Sequence, residues 1–530
     1  MIAETLCNAL IRVWEYLTFW WYYPPALSSM RLKGPARDGD ENALMVQFFT
    51  WEAEHPRMSW WKHFETEVPN LAAMGVSQVW LPPPNKAMRK QGQGYDAYDL
   101  WDLGEFYQKG TIATRWGTKE ELVRAVATAN AHGIDVLVDA VLNHKLGADR
   151  LQKFNATPVD PNDRLRDIGP TREIEGWTGF DFNGRAEQYS SLKWTPEHFT
   201  GDNHKGWSEW VDGENGNYDY LLGIDIDHRH PDVRKDLMTW GNWVLQTTGG
   251  AGFRLDAIKH MDRRFLLSFI KHVRETLGRP DLFSVAEYWS ADLEQIKPYI
   301  RVFQGLVTFF DVPLHHNFHQ ASKAGSNYDL RKVLDNSIMK FRPGDAVTFQ
   351  IGQTLESWVG ANFKLQAYAL VLLYGEGHPC VFYGDLYTNE ECYDPSIADG
   401  LKRLMTARKK FAYGARTDYF SHPNCIGFVR QGDPGSGTGR GGCAVLLSNA
   451  DVPEEQESDA AVTTSAVPVH TLRINVGSEN AGATYCGYLS LGNLDEAVRI
   501  DADGWGAFTC PLGGLQVWVR ANSSDNSTLE

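Results

Sequence analysis

The chain has 530 residues, of which 43% are hydrophobic and 22% are charged. This composition is typical of a globular protein, and the length exceeds what one compact core usually holds, so we expect two or three domains. The formal net charge of −16 argues against a nucleic-acid partner, because surfaces that bind nucleic acids are basic. The seven cysteines show no zinc-type spacing, which indicates reduced thiols rather than a disulfide framework.

Residues 1–42 are predicted to form a separate N-terminal leader. The apolar run at 10–23 is interrupted by Arg12 and Glu15 and follows no basic segment, so it does not resemble a secretory signal. It is also too short to span a bilayer. Two interpretations stay open: a helix packed on the main domain, or an aromatic segment resting on a membrane or a partner. Without a secretory route, the expected location is the cytoplasm, and a monomer is expected.

From residue 43 onwards, short apolar runs alternate with helical patterns. A capping box formed by Thr118 and Glu121 predicts a helix that ends at residue 131, and Pro231 predicts the start of another. Eight apolar runs are predicted to be strands: 44–49, 76–81, 135–142, 252–257, 283–286, 306–310, 346–349 and 380–383. This alternation predicts an α/β protein with a (β/α)8 TIM barrel.

The alternative for such a pattern is a doubly wound open sheet. That fold would place a glycine-rich phosphate turn after its first strand, whereas this chain continues there with Thr50, Trp51 and Glu52. The predicted barrel comprises residues 43–144 and 231–416. Residues 145–230 are predicted to be a subdomain inserted after strand 3, at the face where barrel enzymes hold their sites. Short β runs predict a C-terminal antiparallel β-sandwich over 417–520, followed by a disordered tail at 521–530.

Two acidic residues stand at the ends of neighbouring predicted strands. Asp256 lies two residues after Arg254, which puts both side chains on one face of the strand. From that spacing we expect a depressed pKa for Asp256, as a nucleophile needs. Glu287 ends the next strand among apolar and aromatic residues. One ionised Asp and one Glu in such surroundings are the pair that glycoside hydrolysis requires.

Several motifs carry a resemblance to a known family. They are the sequences DAVLNH at 139–144, GFRLDAIKH at 252–260 and AEYW at 286–289, supported by GYDAYDL at 94–100 and FDVPLH at 310–315. In order and position they are similar to the conserved regions of the α-amylase family, a group of retaining glycoside hydrolases built on a (β/α)8 barrel. The chain resembles the liquefying bacterial and the intracellular fungal members most closely, from about residue 44 to 519.

The resemblance implies an activity on α-1,4-glucans such as starch, glycogen or maltooligosaccharides. It implies that Asp256 is the nucleophile and Glu287 the general acid/base, with carboxyl groups about 5–5.5 Å apart for a retaining mechanism. Arg254 would orient Asp256, His144 would hydrogen-bond the sugar beside the cleaved bond, and Tyr95 would stack on it. The residues implied on the leaving-group side are Lys259 and His260.

A calcium site is also implied by the resemblance. Its ligands would be Asn143, Asp202, Asp219, Asp225 and the carbonyl of His260, all of them oxygen donors of the kind that Ca²⁺ prefers. A solvated acidic loop is the alternative interpretation of this stretch. The histidines at 315, 316 and 319 have no local carboxylate or cysteine to complete a zinc site, so we interpret them as structural or cleft-lining.

The resemblance fails at one place. The family carries an Asn-His-Asp run after strand 7, whereas this chain runs from Phe349 to Gln353 with neither His nor Asp. The missing Asp would be a third carboxylate that binds sugar hydroxyls in the transition state, and losing one such contact costs about 10²–10³ in rate. The nearest acid, Glu356, is predicted on the next helix and is a weak substitute.

Three hypotheses follow from this gap. The chain is a hydrolase or a 4-α-glucanotransferase with weakened activity, or a catalytically inactive α-glucan-binding or regulatory protein. In the third hypothesis, the gap comes from how the coding sequence was assembled, and the native protein carries the full triad. Sequencing the transcript across codons 345–355 tests that third hypothesis.

Overall fold

A computed structural model describes residues 42–160, 163–201, 204–205, 221–350, 358–433, 440–451, 468–491 and 497–521. Its central element is a closed barrel of eight parallel strands, in the order β1-β8-β7-β6-β5-β4-β3-β2 around the ring. The strands are β1 Met45–Gln47, β2 Gln78–Trp80, β3 Asp135–Ala140, β4 Gly252–Leu255, β5 Phe283–Ala286, β6 Thr308–Phe310, β7 Ala346–Thr348 and β8 His378–Phe382. The predicted (β/α)8 fold is therefore confirmed, and each barrel strand overlaps the predicted run.

Helices surround the barrel and bury their apolar sides against it. The helix that the capping box predicted begins at Lys119, with both reciprocal hydrogen bonds between Thr118 and Glu121 present, and Pro231 is the first residue of another. The helices are α1 Trp60–Ala73, α2 Lys119–Ala131, α3 Pro231–Thr248, α4 Arg263–Leu277, α5 Leu293–Phe303, α6 Val312–Ala324, α7 Ile338–Phe341, α8 Ala361–Leu373, α9 Tyr383–Leu386 and α10 Pro395–Phe411. No helix among the described residues is long and apolar enough to cross a membrane.

The segment between β3 and α3 forms small antiparallel sheets of its own. One sheet is built on a long hairpin of Arg150–Asp160 and Arg172–Gly179, with Asp163–Asp167 and His204–Lys205 beside the first strand. A second sheet joins Phe199–Gly201, Ile224–Ile226 and His144–Lys145. The second sheet starts four residues after β3 ends, and it therefore anchors the insertion at the carboxyl end of the barrel.

After α10 the described residues form β-strands, apart from one short 3-10 helix at Ser478–Asn480. Six strands form one antiparallel sheet and two strands form a second, and a separate hydrophobic core lies between them, with Phe508 and Trp518 fully buried in it. The strands are Arg416–His422, Cys425–Arg430, Cys443–Ser448, Val469–Asn475, Thr484–Ser490, Ala497–Arg499, Trp505–Pro511 and Leu515–Arg520. The predicted C-terminal sandwich is confirmed. The leader up to residue 41 and the tail from residue 522 lie outside the described residues.

Candidate active site

One guanidinium group connects three acidic side chains at the carboxyl ends of β3, β4 and β5. Arg254 Nη1 lies 2.5 Å from Asp256 Oδ1 and 2.9 Å from Asp139 Oδ1, and its Nη2 lies 2.8 Å from Glu287 Oε2. All four side chains are buried. Because Asp256 and Glu287 bind the two terminal nitrogens of one planar group, their carboxyl groups are held close together.

The backbone ties the ends of β4 and β5 to each other. The N–H of Glu287 donates to the Leu255 carbonyl at 3.0 Å. Just after Asp256, Ala257 adopts a left-handed conformation with φ 48°, and its N–H donates to Glu287 Oε2 at 3.1 Å. The chain then turns into the short helix Ile258–His260. The strained Ala257 backbone thus aims one amide at Glu287 and fixes that carboxylate beside Asp256.

Asp139 is a member of the cluster that sequence reasoning did not single out. It lies one residue before the end of β3, in register with Arg254, and its Oδ2 accepts hydrogen bonds from Trp80 Nε1 at 2.9 Å and from the Tyr95 hydroxyl at 2.8 Å. The guanidinium also lies 4.6 Å above the Trp80 ring. A signal was available, since Asp139 is an acid that follows three apolar residues near the end of the strand and opens one of the matched motifs.

The electrostatics of the cluster correct one expectation. Burial raises the pKa of Asp256 to about 8, with Glu287 and Asp139 adding to the rise and Arg254 opposing it. The predicted depression of this pKa is therefore wrong in sign. One cation cannot balance three buried carboxylates, so the cluster retains a proton near neutral pH. The sequence showed Arg254 beside Asp256 but not the two further acids that share the same guanidinium.

Asp256 and Glu287 face a single cavity of about 540 Å³ at the mouth of the barrel. The other predicted substrate-binding residues line the same cavity, namely Tyr95, His144, Arg254, Lys259 and His260. The structure thus brings together every residue of the predicted catalytic and substrate-binding set.

Aromatic residues form one wall of this cavity. The ring of Tyr95 stacks on Trp51 with centroids 5.6 Å apart and planes 10° apart, and Trp51 is 56% exposed. His144 lies behind them: its Nε2 is 2.8 Å from the Tyr95 carbonyl and its Nδ1 is 3.3 Å from Asn143 Nδ2. Both ring nitrogens of His144 thus have protein partners, and the ring still borders the cavity.

Two of the predicted calcium ligands lie side by side. Asn143 and Asp225 are both buried, and the sheet that contains His144–Lys145 and Ile224–Ile226 pairs Asp225 with His144. An amide and a carboxylate oxygen at this junction fit the donor chemistry of Ca²⁺. The other two side-chain ligands, Asp202 and Asp219, lie outside the described residues. His260 lies at the end of the turn that follows β4.

Elsewhere in the described part of the chain, one further group has three metal-ligating atoms close together, formed by His198, His230 and Asp232. Its imidazoles are poor ligands as placed. His198 Nδ1 accepts from the Thr195 N–H at 2.9 Å and His230 Nδ1 accepts from the Asp232 N–H at 3.3 Å. In a neutral ring the proton then sits on Nε2, which leaves no lone pair there for a metal.

The end of β7 carries no acid among its described residues. The ring of Phe349, which lines the cavity, stacks on His315 with centroids 5.3 Å apart. His315 is buried behind it, which agrees with the structural rather than the cleft-lining interpretation of that histidine. The Gln350 side chain turns away to donate to the buried Asp385 at 2.8 Å. Residues 351–357, including Glu356, lie outside the described residues.

Comparison with known proteins agrees with this architecture. A family model described as the α-amylase catalytic domain matches residues 65–393. An α-amylase of Geobacillus stearothermophilus is 39% identical over 503 residues, which cover 90% of this chain and 87% of that protein. The cytoplasmic α-amylase of Escherichia coli is 36% identical over 515 residues, covering 90% and 99%.

Among solved structures, the α-amylase of Geobacillus thermoleovorans in complex with acarbose superposes with a TM-score of 0.58 at 17% identity, covering 91% of this chain and 98% of that one. At that identity the superposition speaks for the fold alone. The family model and the sequence relatives extend over the barrel and over the cluster around Arg254. The chain therefore belongs to the α-amylase family of glycoside hydrolases.

Proposed function

We propose that this protein cleaves α-1,4-glucans of the starch and glycogen type with retention of configuration, using Asp256 as nucleophile and Glu287 as general acid/base. One observation carries the proposal: both carboxyl groups are bound to the same guanidinium and face the same cavity. Retaining glycosidases need two carboxyl groups about 5–5.5 Å apart, and a shared guanidinium holds the pair close enough for that geometry.

In the first step, Glu287 donates its proton to the glycosidic oxygen while Asp256 attacks the anomeric carbon. The bond to the leaving sugar breaks and a covalent glycosyl-Asp256 forms. In the second step, Glu287 accepts a proton from water, and the resulting hydroxide displaces Asp256 from the sugar. Arg254 stays hydrogen-bonded to both residues, so it compensates the negative charge that moves from one carboxylate to the other.

The proton that the cluster retains is the one that this first step consumes. Burial and the acidic neighbours raise the pKa of Asp256 to about 8, so the free protein keeps one proton in the cluster around Arg254 near neutral pH. Catalysis requires that proton on Glu287. The Ala257 N–H contact to Glu287 Oε2 fixes the orientation of this carboxyl group toward the leaving group.

The rest of the cavity supplies binding. The Tyr95 ring stacks on the sugar whose bond is cleaved, and His144 lies beside that sugar. Lys259 and His260 follow the nucleophile on the β4 turn and line the cavity, and we assign them to the leaving-group side. Burial lowers the pKa of Lys259. The acceptor decides the outcome: water gives hydrolysis, and a sugar hydroxyl gives 4-α-glucan transfer.

The third carboxylate of the family has no counterpart among the described residues of β7. We therefore propose an activity about 10²–10³ below that of an enzyme with a full triad. The same observation favours a second candidate, an α-glucan-binding protein that uses this cleft without turnover. The position of Gln350, which is bound to Asp385 rather than turned to the cavity, is what supports it.

We also propose that Asn143, Asp202, Asp219, Asp225 and the His260 carbonyl hold Ca²⁺. When bound, the ion would crosslink the inserted segment and the barrel.

The relative from Escherichia coli is named a cytoplasmic enzyme, which supports a cytoplasmic location here. A monomer is proposed and is measurable by light scattering.

Soluble starch tests the proposal directly. Purified protein is expected to release reducing ends slowly, and Asp256→Asn is expected to abolish the release. The wild type should give products of the α configuration, observable by NMR before mutarotation. Binding of maltoheptaose without any release of reducing ends over a long incubation would refute the enzyme and support the binding protein.

A further inference from the structure

We propose that Glu391 is a substrate-binding carboxylate that determines the affinity for the glucose unit next to the cleaved one. The inference rests on the proposed function and deepens it. Among the described residues, three acids line the cavity: Asp256, Glu287 and Glu391. The first two are bound to Arg254, whereas Glu391 comes from the loop that follows β8 and α9.

Its place in the barrel separates Glu391 from the catalytic pair. β8 and β1 are neighbours in the ring and lie across the barrel from β4 and β5. Trp51, on the loop after β1, lines the same side of the cavity. A glucan chain whose scissile bond lies between Asp256 and Glu287 therefore meets Trp51 and Glu391 with a neighbouring sugar.

The loop holds Glu391 in a defined position. Asn389 Oδ1 accepts from the N–H groups of Glu391 and Cys392, both at 2.9 Å. The Asn389 amide in turn donates to the carbonyls of Gly384 and Tyr387, both at 2.8 Å. One side chain therefore ties both ends of this short loop, so little conformational entropy is lost when a ligand binds to it.

The Glu391 carboxylate is held by a hydrogen bond to one of its two oxygens. Glu391 Oε1 accepts from the backbone N–H of Glu52 at 3.0 Å, and the Glu52 side chain is 3.3 Å from Arg115. This contact joins the loops after β1 and β8. The Glu391 side chain is only partly buried and faces the cavity, so its acceptor capacity exceeds the single amide that it binds.

The exposed Trp51 ring and the Glu391 carboxylate together offer the contacts that bind a sugar. The apolar face of glucose stacks on an indole, and its hydroxyl groups donate to a charged acceptor, which strengthens each hydrogen bond. The competing explanation is that Glu391 only ties the two loops together. Replacement by Gln separates these roles, because the Gln carbonyl still accepts from the Glu52 N–H while the charge is lost.

The experiment measures maltoheptaose binding by titration calorimetry in the Asp256→Asn protein, where no turnover interferes. Adding Glu391→Gln is expected to weaken binding about 5–10-fold, the difference between a charged and a neutral acceptor, with an unchanged unfolding temperature. The control is Glu390→Gln, which removes the same charge from the exposed neighbour on the same loop and should bind like the parent.

Each outcome decides a separate point. Equal affinities for the Glu391→Gln protein and its parent would overturn the inference and leave the proposed function intact. An equal loss in Glu390→Gln would also overturn it, since long-range charge would then be the cause. A parent protein that binds no maltooligosaccharide would overturn both proposals. Glu391→Leu adds a stability readout, because only this variant breaks the loop contact.

Discussion

The cluster around Arg254 makes a specific prediction about stability. Arg254→Met keeps most of the side-chain volume but removes the guanidinium that binds Asp139, Asp256 and Glu287. Removing one partner of a buried ion pair typically destabilises a protein by about 3–5 kcal/mol, because the remaining charge stays buried. Here three buried carboxyl groups lose their common cation, so we expect the upper part of that range at pH 8.

The loss of stability in Arg254→Met should increase as the pH rises. Without Arg254, burial and mutual repulsion raise the folded-state pKa values of the carboxyl groups above their unfolded values near 4. Such groups are tolerated while they are protonated, and they destabilise the fold increasingly as the pH rises through their folded pKa values. Arg254→Met should therefore lower the unfolding temperature by roughly 5–10 °C at pH 8 and by clearly less at pH 5.

Differential scanning calorimetry of the wild type and of Arg254→Met between pH 5 and 8 measures this difference in unfolding temperature. The matched control is the double variant Arg254→Met/Asp139→Asn, which removes one buried carboxylate and should recover part of the lost stability. A loss that is the same at every pH, or a double variant less stable than Arg254→Met, would refute the account of the cluster as carboxylates neutralised by one guanidinium.

Three further predictions concern the packing of the barrel, the binding of calcium and the pH dependence of activity. Gly252→Ala should destabilise the barrel by at least 1–3 kcal/mol, measured by thermal unfolding, because a Cβ there would lie 1.9 Å from the Phe283 carbonyl oxygen. EDTA should lower the unfolding temperature and added Ca²⁺ should restore it, whereas a protein with Asp225→Ala should show no such difference if that residue is a ligand. The basic limb of the kcat/KM profile should lie near pH 8, where the pKa of Asp256 stands, and Asp139→Asn should move it to lower pH because one like charge is removed. An unmoved limb would exclude the raised pKa of Asp256 that its acidic neighbour Asp139 contributes to.

Local signals in the sequence predicted much of the barrel. Each strand is a short apolar run between polar boundaries, and the helix starts at Thr118 and Pro231 depend on neighbouring residues only. The C-terminal domain was harder. Four of its strands were not predicted, namely Arg416–His422, Val469–Asn475, Ala497–Arg499 and Trp505–Pro511. In the first two, most residues are partly or fully exposed and show no apolar alternation.

The active site also contains some residues that the sequence predicts and others that it does not. The motif residues Asp256 and Glu287 are found from sequence because each lies in a short, specific pattern. The raised pKa of Asp256 was not predictable from that pattern, since it depends on burial and on Glu287 and Asp139, whose strands come beside β4 only in the folded sheet. Glu391 was missed for a similar reason: its loop follows β8, and only ring closure brings β8 next to β1.

The central claim is that Asp256 forms a covalent bond to the sugar, and trapping that adduct tests it most directly. Glu287→Gln should react with α-maltotriosyl fluoride, which needs no acid to expel fluoride, and then stall because no base activates water for the second step. Peptide mass spectrometry is predicted to find a maltotriosyl group on the peptide that contains Asp256, and none after Asp256→Asn. Fluoride release without an adduct, an adduct on another peptide, or no reaction at all would contradict the account.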